Sequence, residues 1–177
     1  MDRDRDEQVS IRTATVDDAA ALMRIYNYYV RETIVTFEEA PVSETDMSAR
    51  VEEVLNASFP WVVAVRGPEV LGYAYGANWK RRVGYRFSAE VTVYLEHERG
   101  GRGVGSRLYT RLLSDLRDRG VHVAIGGIAL PNDVSTRLHE KLGFRKVAHF
   151  HEVGFKFDRW IDVGYWEKVL RTGDGEP

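Results

Sequence analysis

Ala89-Glu90-Val91-Thr92-Val93-Tyr94-Leu95, followed after a short link by Arg99-Gly100-Gly101-Arg102-Gly103-Val104-Gly105-Ser106, is the most informative part of the sequence. Its first part alternates in the period of a β-strand, where successive side chains point to opposite faces. Val91, Val93 and Leu95 point one way, into a core, and Glu90, Thr92 and Tyr94 point the other. A carboxylate in the middle of a central strand is costly to bury unless it is paired or used. Desolvation there raises its pKa toward neutrality, which suits proton transfer. The spacing alone also fits an edge strand with Glu90 in solvent.

The second part is rich in glycine, which lets backbone approach a ligand and exposes successive N–H groups. A helix beginning near Val104, with Val104, Leu108, Leu112 and Leu116 each four apart, adds the positive end of its dipole. This assembly suits a pyrophosphate, with Arg99 and Arg102 adding charge. It is not a Walker loop, since no Gly-Lys-Ser/Thr follows, and it lacks the third glycine of the Rossmann fingerprint. A plain glycine-rich turn is the rival reading.

Around this centre the pattern predicts a mixed α/β domain of six or seven strands and about four helices. Residues 9–12 read as a short strand, and Thr15-Val16-Asp17-Asp18 reads as a helix start. Leu22, Ile25, Tyr26 and Tyr29 recur at helical spacing, and Ser43 to Asp46 offers a second cap. The apolar run Trp61 to Val65, the turn Arg66-Gly67-Pro68-Glu69 and Val70 to Tyr75 read as a hairpin. The central strand is expected over 85–95. Gly120 closes the following helix, and 121–129 form a buried strand. Asn132 or Asp133 caps a short helix, and 144–157 and 160–170 complete the sheet.

The bulk numbers narrow the classes. At 177 residues the chain fits one domain with a real core, expected over 9–171 between a disordered charged leader (1–8) and a disordered tail (172–177). The charged start lacks the apolar region of a secretory signal, and no apolar run spans a bilayer. There is no cysteine, which removes disulfides, thiolate metal sites and cysteine nucleophiles and agrees with the cytoplasm. A net charge of −2 argues against nucleic-acid binding through phosphates. His97, His149 and His151 show no partner at metal-ligand spacing in sequence, so no metal is expected. His122, on a predicted buried strand, reads as a core residue.

In this order the strand with an inward Glu, the glycine loop, the helix, the next strand and Asn132…Leu138-His139-Glu140-Lys141-Leu142-Gly143-Phe144 resemble the GNAT acetyltransferase superfamily. More narrowly, Trp79-Lys80-x-Arg82-x-x-Tyr85, Ala89-Glu90-x-Thr92-Val93-Tyr94, Leu130-Pro131-Asn132-Asp133 and Gly154-Phe155-Lys156…Trp160-x-Asp162-Val163-Gly164-Tyr165-Trp166 resemble its phosphinothricin and methionine sulfoximine acetyltransferases. One departure is Gly100, where the superfamily loop carries Gln or Arg.

The resemblance implies the GNAT fold and acetyl transfer from acetyl-CoA to the primary amine of a small amino-acid-like substrate, with Glu90 as general base. It implies cofactor contacts at Val93, Tyr94, Leu95, Arg99, Gly101, Arg102, Gly103, Val104, Gly105, Ser106, Asn132 and Ser135. Substrate contacts fall to Phe37, Lys80, Arg82, Tyr85 and Thr92, since a guanidinium grips polar or anionic oxygens in a bidentate way. His139 stands where many GNAT enzymes carry a tyrosine and reads equally as general acid or as structural histidine. A homodimer with the site near the interface is implied, and the aromatic segment 155–166 suits a subunit contact. The alternatives are another amine (a polyamine, an aminoglycoside or a protein N-terminus) or an acetyl-CoA sensor without catalysis. A basic pocket closed by Phe37, Tyr85 and Trp166 disfavours the former, and the inward Glu90 disfavours the latter.

Overall fold

The computed structural model describes residues 8–97 and 103–171. Seven strands form one sheet in the order β1-β2-β3-β4-β5-β7-β6: β1 (Ser10–Thr13), β2 (Trp61–Arg66), β3 (Glu69–Asn78), β4 (Ser88–Leu95), β5 (Val123–Leu130), β6 (Arg145–Lys156) and β7 (Arg159–Val169). Four helices accompany it: α1 (Ala19–Glu32), α2 (Glu44–Asn56), α3 (Val104–Asp118) and α4 (Asp133–Lys141). The Ser43 side chain accepts the Asp46 N–H and Asp46 reaches back to the Ser43 backbone, the reciprocal cap that starts α2.

The central strand is shorter than its sequence pattern suggests. Val83–Tyr85 form a turn of 3₁₀ helix, and β4 begins at Ser88. The other element edges differ from expectation by a few residues, and His122 is an exposed residue ahead of β5, where a core position was expected.

The sheet carries a core on each face. On one, α3 lays Leu108, Leu112 and Leu116 against Val62, Ala74, Val91 and Ala124. Each leucine is fully buried, a burial worth roughly 1.5–3 kcal/mol apiece. On the other, α1 and α2 pack Leu22, Ile25, Met47 and Val51 against Trp61, Tyr73 and Tyr94. Val91, Val93 and Leu95 thus belong to the α3 side and Tyr94 to the opposite side, as the alternation predicts.

β4 lies in the middle of the sheet, which removes the edge-strand reading of Glu90. It runs antiparallel to β3 from Leu95 to Ala89. Against β5 it is parallel and paired only at Ser88–Val123, Ala89–Ala124 and Glu90–Ile125. The two strands therefore part immediately after Glu90, and a cleft opens between them. Among the described residues no helix is long and apolar enough to cross a membrane.

Candidate active site

The cleft encloses about 280 Å³ and passes between the two faces of the sheet. Glu90, Thr92 and Tyr94 line it from β4, Phe37 from the α1–α2 connection, and Asn132, Ser135 and His139 from α4 and the turn before it. Val93 lines it as well.

Glu90 sits half-buried at the fork where β4 leaves β5. Burial pushes its carboxyl above the usual range, opposed by the nearby Lys80 ammonium. Gly127 stands beside it on β5, so that a β-carbon there would lie 3.7 Å from Glu90 Oε1. Beyond Glu90 the β5-facing edge of β4 has no strand partner among the described residues, so its peptide groups make no ladder bonds there.

His139 is 2% exposed, beneath the cleft. Its Nδ1 lies 2.8 Å from the Ser135 carbonyl oxygen, which can only accept, so Nδ1 carries the proton. Nε2 of the neutral ring then accepts from the Tyr109 hydroxyl at 3.2 Å. Desolvation lowers the pKa of His139, and the bond to Ser135 opposes this. Tyr109, wholly buried, is held protonated by desolvation.

Phe37 is carried by a pinned connection. The Lys156 ammonium donates to the Thr36 carbonyl at 2.8 Å. Tyr26 Oη lies 2.8 Å from Thr36 Oγ1, and Arg50 clasps Glu38 through two bonds of 2.8 and 3.0 Å. At the far end of the cleft Asn132 Oδ1 accepts the Ser135 N–H at 3.1 Å and caps α4.

Gly103 precedes α3 in the left-handed conformation, φ +80°, which glycine adopts without the cost a β-carbon imposes. Nothing would crowd a β-carbon there, so its glycine serves backbone geometry. Val104 and Gly105 are buried in the first turn, at the positive end of the helix dipole, where backbone N–H groups have no partner within the helix. Ser106 is half-buried in the same turn. Arg99, Gly101 and Arg102 lie outside the described residues.

A family model described as an acetyltransferase (GNAT) domain matches residues 11–164. The chain belongs to the GNAT acetyltransferases. Within them it falls in the phosphinothricin and methionine sulfoximine branch, a group of acetyl-CoA-dependent enzymes. It is 38% identical over 160 residues to a phosphinothricin N-acetyltransferase of Streptomyces viridochromogenes, covering 90% of this chain and 87% of that one. It is 34% identical over 162 residues to an L-methionine sulfoximine/L-methionine sulfone acetyltransferase of Salmonella typhimurium, covering 92% and 95%. Among solved structures, a phosphinothricin acetyltransferase of Sinorhizobium meliloti in complex with acetyl-CoA superposes with a TM-score of 0.91 at 32% identity, covering 96% of this chain and 92% of that one.

In this GNAT chain eight of the residues singled out from sequence line the cleft (Phe37, Glu90, Thr92, Val93, Tyr94, Asn132, Ser135 and His139), and the other described ones do not. Leu95 packs beside Gly105 and receives the Tyr29 hydroxyl on its carbonyl oxygen at 2.6 Å, outside the cleft lining. Lys80 stacks over Trp79 at 4.7 Å and borders a neighbouring cavity shared with Tyr165. Arg82 and Tyr85 are exposed on the 79–87 segment, away from the cleft lining. Trp166 does not close the pocket: it is buried on the α3 side and donates Nε1–H to Glu140.

Tyr109, Tyr165 and the Gly126-Gly127 pair were missed from sequence. The glycine pair was the available signal, because glycine inside a strand marks a close approach. His149 and His151, without partners in sequence, both meet Asp162 across the β6–β7 pair.

Proposed function

We propose that the enzyme acetylates the primary amine of a small amino-acid-like substrate of the phosphinothricin, methionine sulfoximine or methionine sulfone type, with Glu90 as general base. The observation that carries this reading is the placement of Glu90. It is half-buried on the central strand, at the fork of β4 and β5, and faces the same cleft as Phe37 and Thr92. A sensor that only binds has no use for a desolvated carboxylate there.

The residues present fit acetyl-CoA. The parted strands leave β4 peptide groups for the thioester arm, and the α3 N-terminus after Gly103 suits the pyrophosphate. When bound, acetyl-CoA supplies an activated acyl carbon with a thiolate leaving group. Glu90 takes a proton from the substrate ammonium, directly or through one water. The freed nitrogen lone pair would form the N–C bond as the C–S bond breaks, the second amine proton would pass to the departing thiolate, and a β4 N–H would hold the carbonyl oxygen.

His139 has its one proton on the Ser135 carbonyl and its Nε2 occupied by Tyr109, which favours the structural side of the two roles open in sequence. For Lys80, Arg82 and Tyr85, which lie outside the cleft lining, to meet the polar end of the substrate, the 79–87 segment must fold toward the cleft about Trp79, whose ring sits edge-on to Tyr165 at 5.4 Å. The exposed apolar strip of Val153, Phe155, Phe157 and Trp160 supports a homodimer built on β6 and β7. The reading places the enzyme in the cytoplasm, with acetyl-CoA.

The test follows thiol release from acetyl-CoA with phosphinothricin, methionine sulfoximine, methionine sulfone, spermidine and an aminoglycoside. Turnover on one of the first three, reduced on the order of 10²–10⁴-fold in Glu90→Gln and partly recovered at high pH, is the expected result. Turnover on spermidine or the aminoglycoside alone overturns the substrate class, and an unimpaired Glu90→Gln overturns the base.

A further inference from the structure

His149 and His151 stand two apart on β6, so their side chains share one face. They stack at 4.4 Å between ring centroids and converge on one oxygen of β7: His149 Nε2 lies 2.7 Å and His151 Nδ1 3.1 Å from Asp162 Oδ2. One ring nitrogen from each histidine and a carboxylate oxygen of Asp162 all lie within 4.8 Å of one another. The carboxylate is held from behind. Its Oδ1 accepts the Glu152 N–H at 2.9 Å, at the irregularity between Phe150 and Gly154 where Glu152 adopts φ +53°.

We infer that His149, His151 and Asp162 form a surface site for a divalent transition-metal ion of the zinc or nickel class. Two imidazoles and one carboxylate are the donors such ions prefer. Tetrahedral ligand atoms at roughly 2.0–2.2 Å from one ion lie roughly 3.3–3.6 Å apart, a little more than the two N···O distances and inside the 4.8 Å that bounds all three, so modest ring rotations complete the site. Three protein ligands leave a fourth position for water. None of the three residues lines the acetyl-transfer cleft.

One neighbour works against the ion. Lys146 Nζ lies 3.1 Å from His149 Nδ1 and must donate to it, which puts the ring proton on Nε2. Coordination through Nε2 needs that proton on Nδ1 instead, so Lys146 must turn away into solvent. Its exposed, flexible stem allows this. Removing the ammonium should therefore strengthen binding, a result that a mere hydrogen-bonded cluster does not produce.

The experiment is calorimetric titration of untagged full-length chain with zinc chloride and, separately, nickel chloride at neutral pH, beside His151→Gln, Asp162→Asn and Lys146→Met. Thermal melts without metal verify the fold of each variant. The expected result is one ion per chain in the micromolar range or tighter, at least tenfold weaker in His151→Gln and Asp162→Asn and several-fold tighter in Lys146→Met. No saturable binding of either ion, or equal binding by wild type and the two ligand variants, overturns the site.

Discussion

The Tyr109 hydroxyl and His139 Nε2, 3.2 Å apart in the floor of the cleft, form a buried polar pair whose histidine is held neutral. A histidine with a folded pKa below its unfolded value binds fewer protons in the native state, so stability falls as pH drops through the unfolded pKa of about 6.5. The carboxylates of Asp18 and Glu38, whose pKa values are depressed by Arg12 and Arg50, lose their contribution only in a more acidic window. We expect wild type to lose stability between about pH 7 and pH 5 more steeply than His139→Gln, read by urea denaturation across pH. Equal slopes would mean that His139 is not held neutral.

Tyr109→Phe removes the donor and leaves His139 Nε2 buried without a partner. A buried polar group left unpaired costs about 1–3 kcal/mol, so its urea midpoint should fall by that equivalent. A loss near zero would show that the hydroxyl contributes nothing to the pair.

Glu90 carries the opposite sign. Its folded pKa is raised by desolvation, so its contribution favours folding below the unfolded carboxylate pKa and is lost as pH rises through the folded value. At about pH 8 the native state holds a desolvated charge that the unfolded chain does not. Glu90→Gln should therefore melt higher than wild type at that pH, and the difference should shrink toward about pH 4. A variant both inactive and more stable is the mark of a functional carboxylate kept at the expense of stability. A lower melting temperature at alkaline pH would contradict the desolvation argument.

The parts of the fold legible in sequence were those written in local periodicity. The alternation around Glu90 and the four-residue spacing of Leu108, Leu112 and Leu116 each report one face of one element, and both faces are packed as that spacing predicts. What escaped depends on which strands meet. The early parting of β4 and β5 leaves no local mark, because a strand looks the same in sequence whether its neighbour stays or departs. The pairing of His149 and His151 with Asp162 is a cross-strand contact set by register over two irregularities. Trp166 was misplaced for a related reason: its neighbour Tyr165 lines the cleft, and one residue along a strand changes the face.

Gly126 and His139 are packed so closely that a β-carbon on Gly126 would lie 2.5 Å from Nε2 and 2.9 Å from Cδ2. The ring cannot retreat, since it is buried and bonded at both nitrogens. Gly126→Ala should therefore cost about 1–3 kcal/mol of stability and weaken acetyl-CoA binding by displacing α4 from the cleft. Denaturant unfolding and cofactor titration read the two effects. An alanine variant of unchanged stability would mean that the ring moves freely.

Gly154 gives the contrasting case. A β-carbon there would lie 2.3 Å from two atoms of the Phe37 ring, a shorter approach than at Gly126. Yet Phe37 is 41% exposed and can swing toward solvent, so the overlap is relieved by rotation. Gly154→Ala should change stability by no more than about 0.5 kcal/mol, while the displaced ring no longer closes the amine side of the cleft. The kinetic signature is a several-fold rise in KM for the amine, with kcat and the KM for acetyl-CoA little changed, because Glu90 and the β4 edge are untouched. If kcat falls instead and KM holds, Phe37 acts on the reacting geometry rather than on binding, and its assignment to the substrate pocket fails.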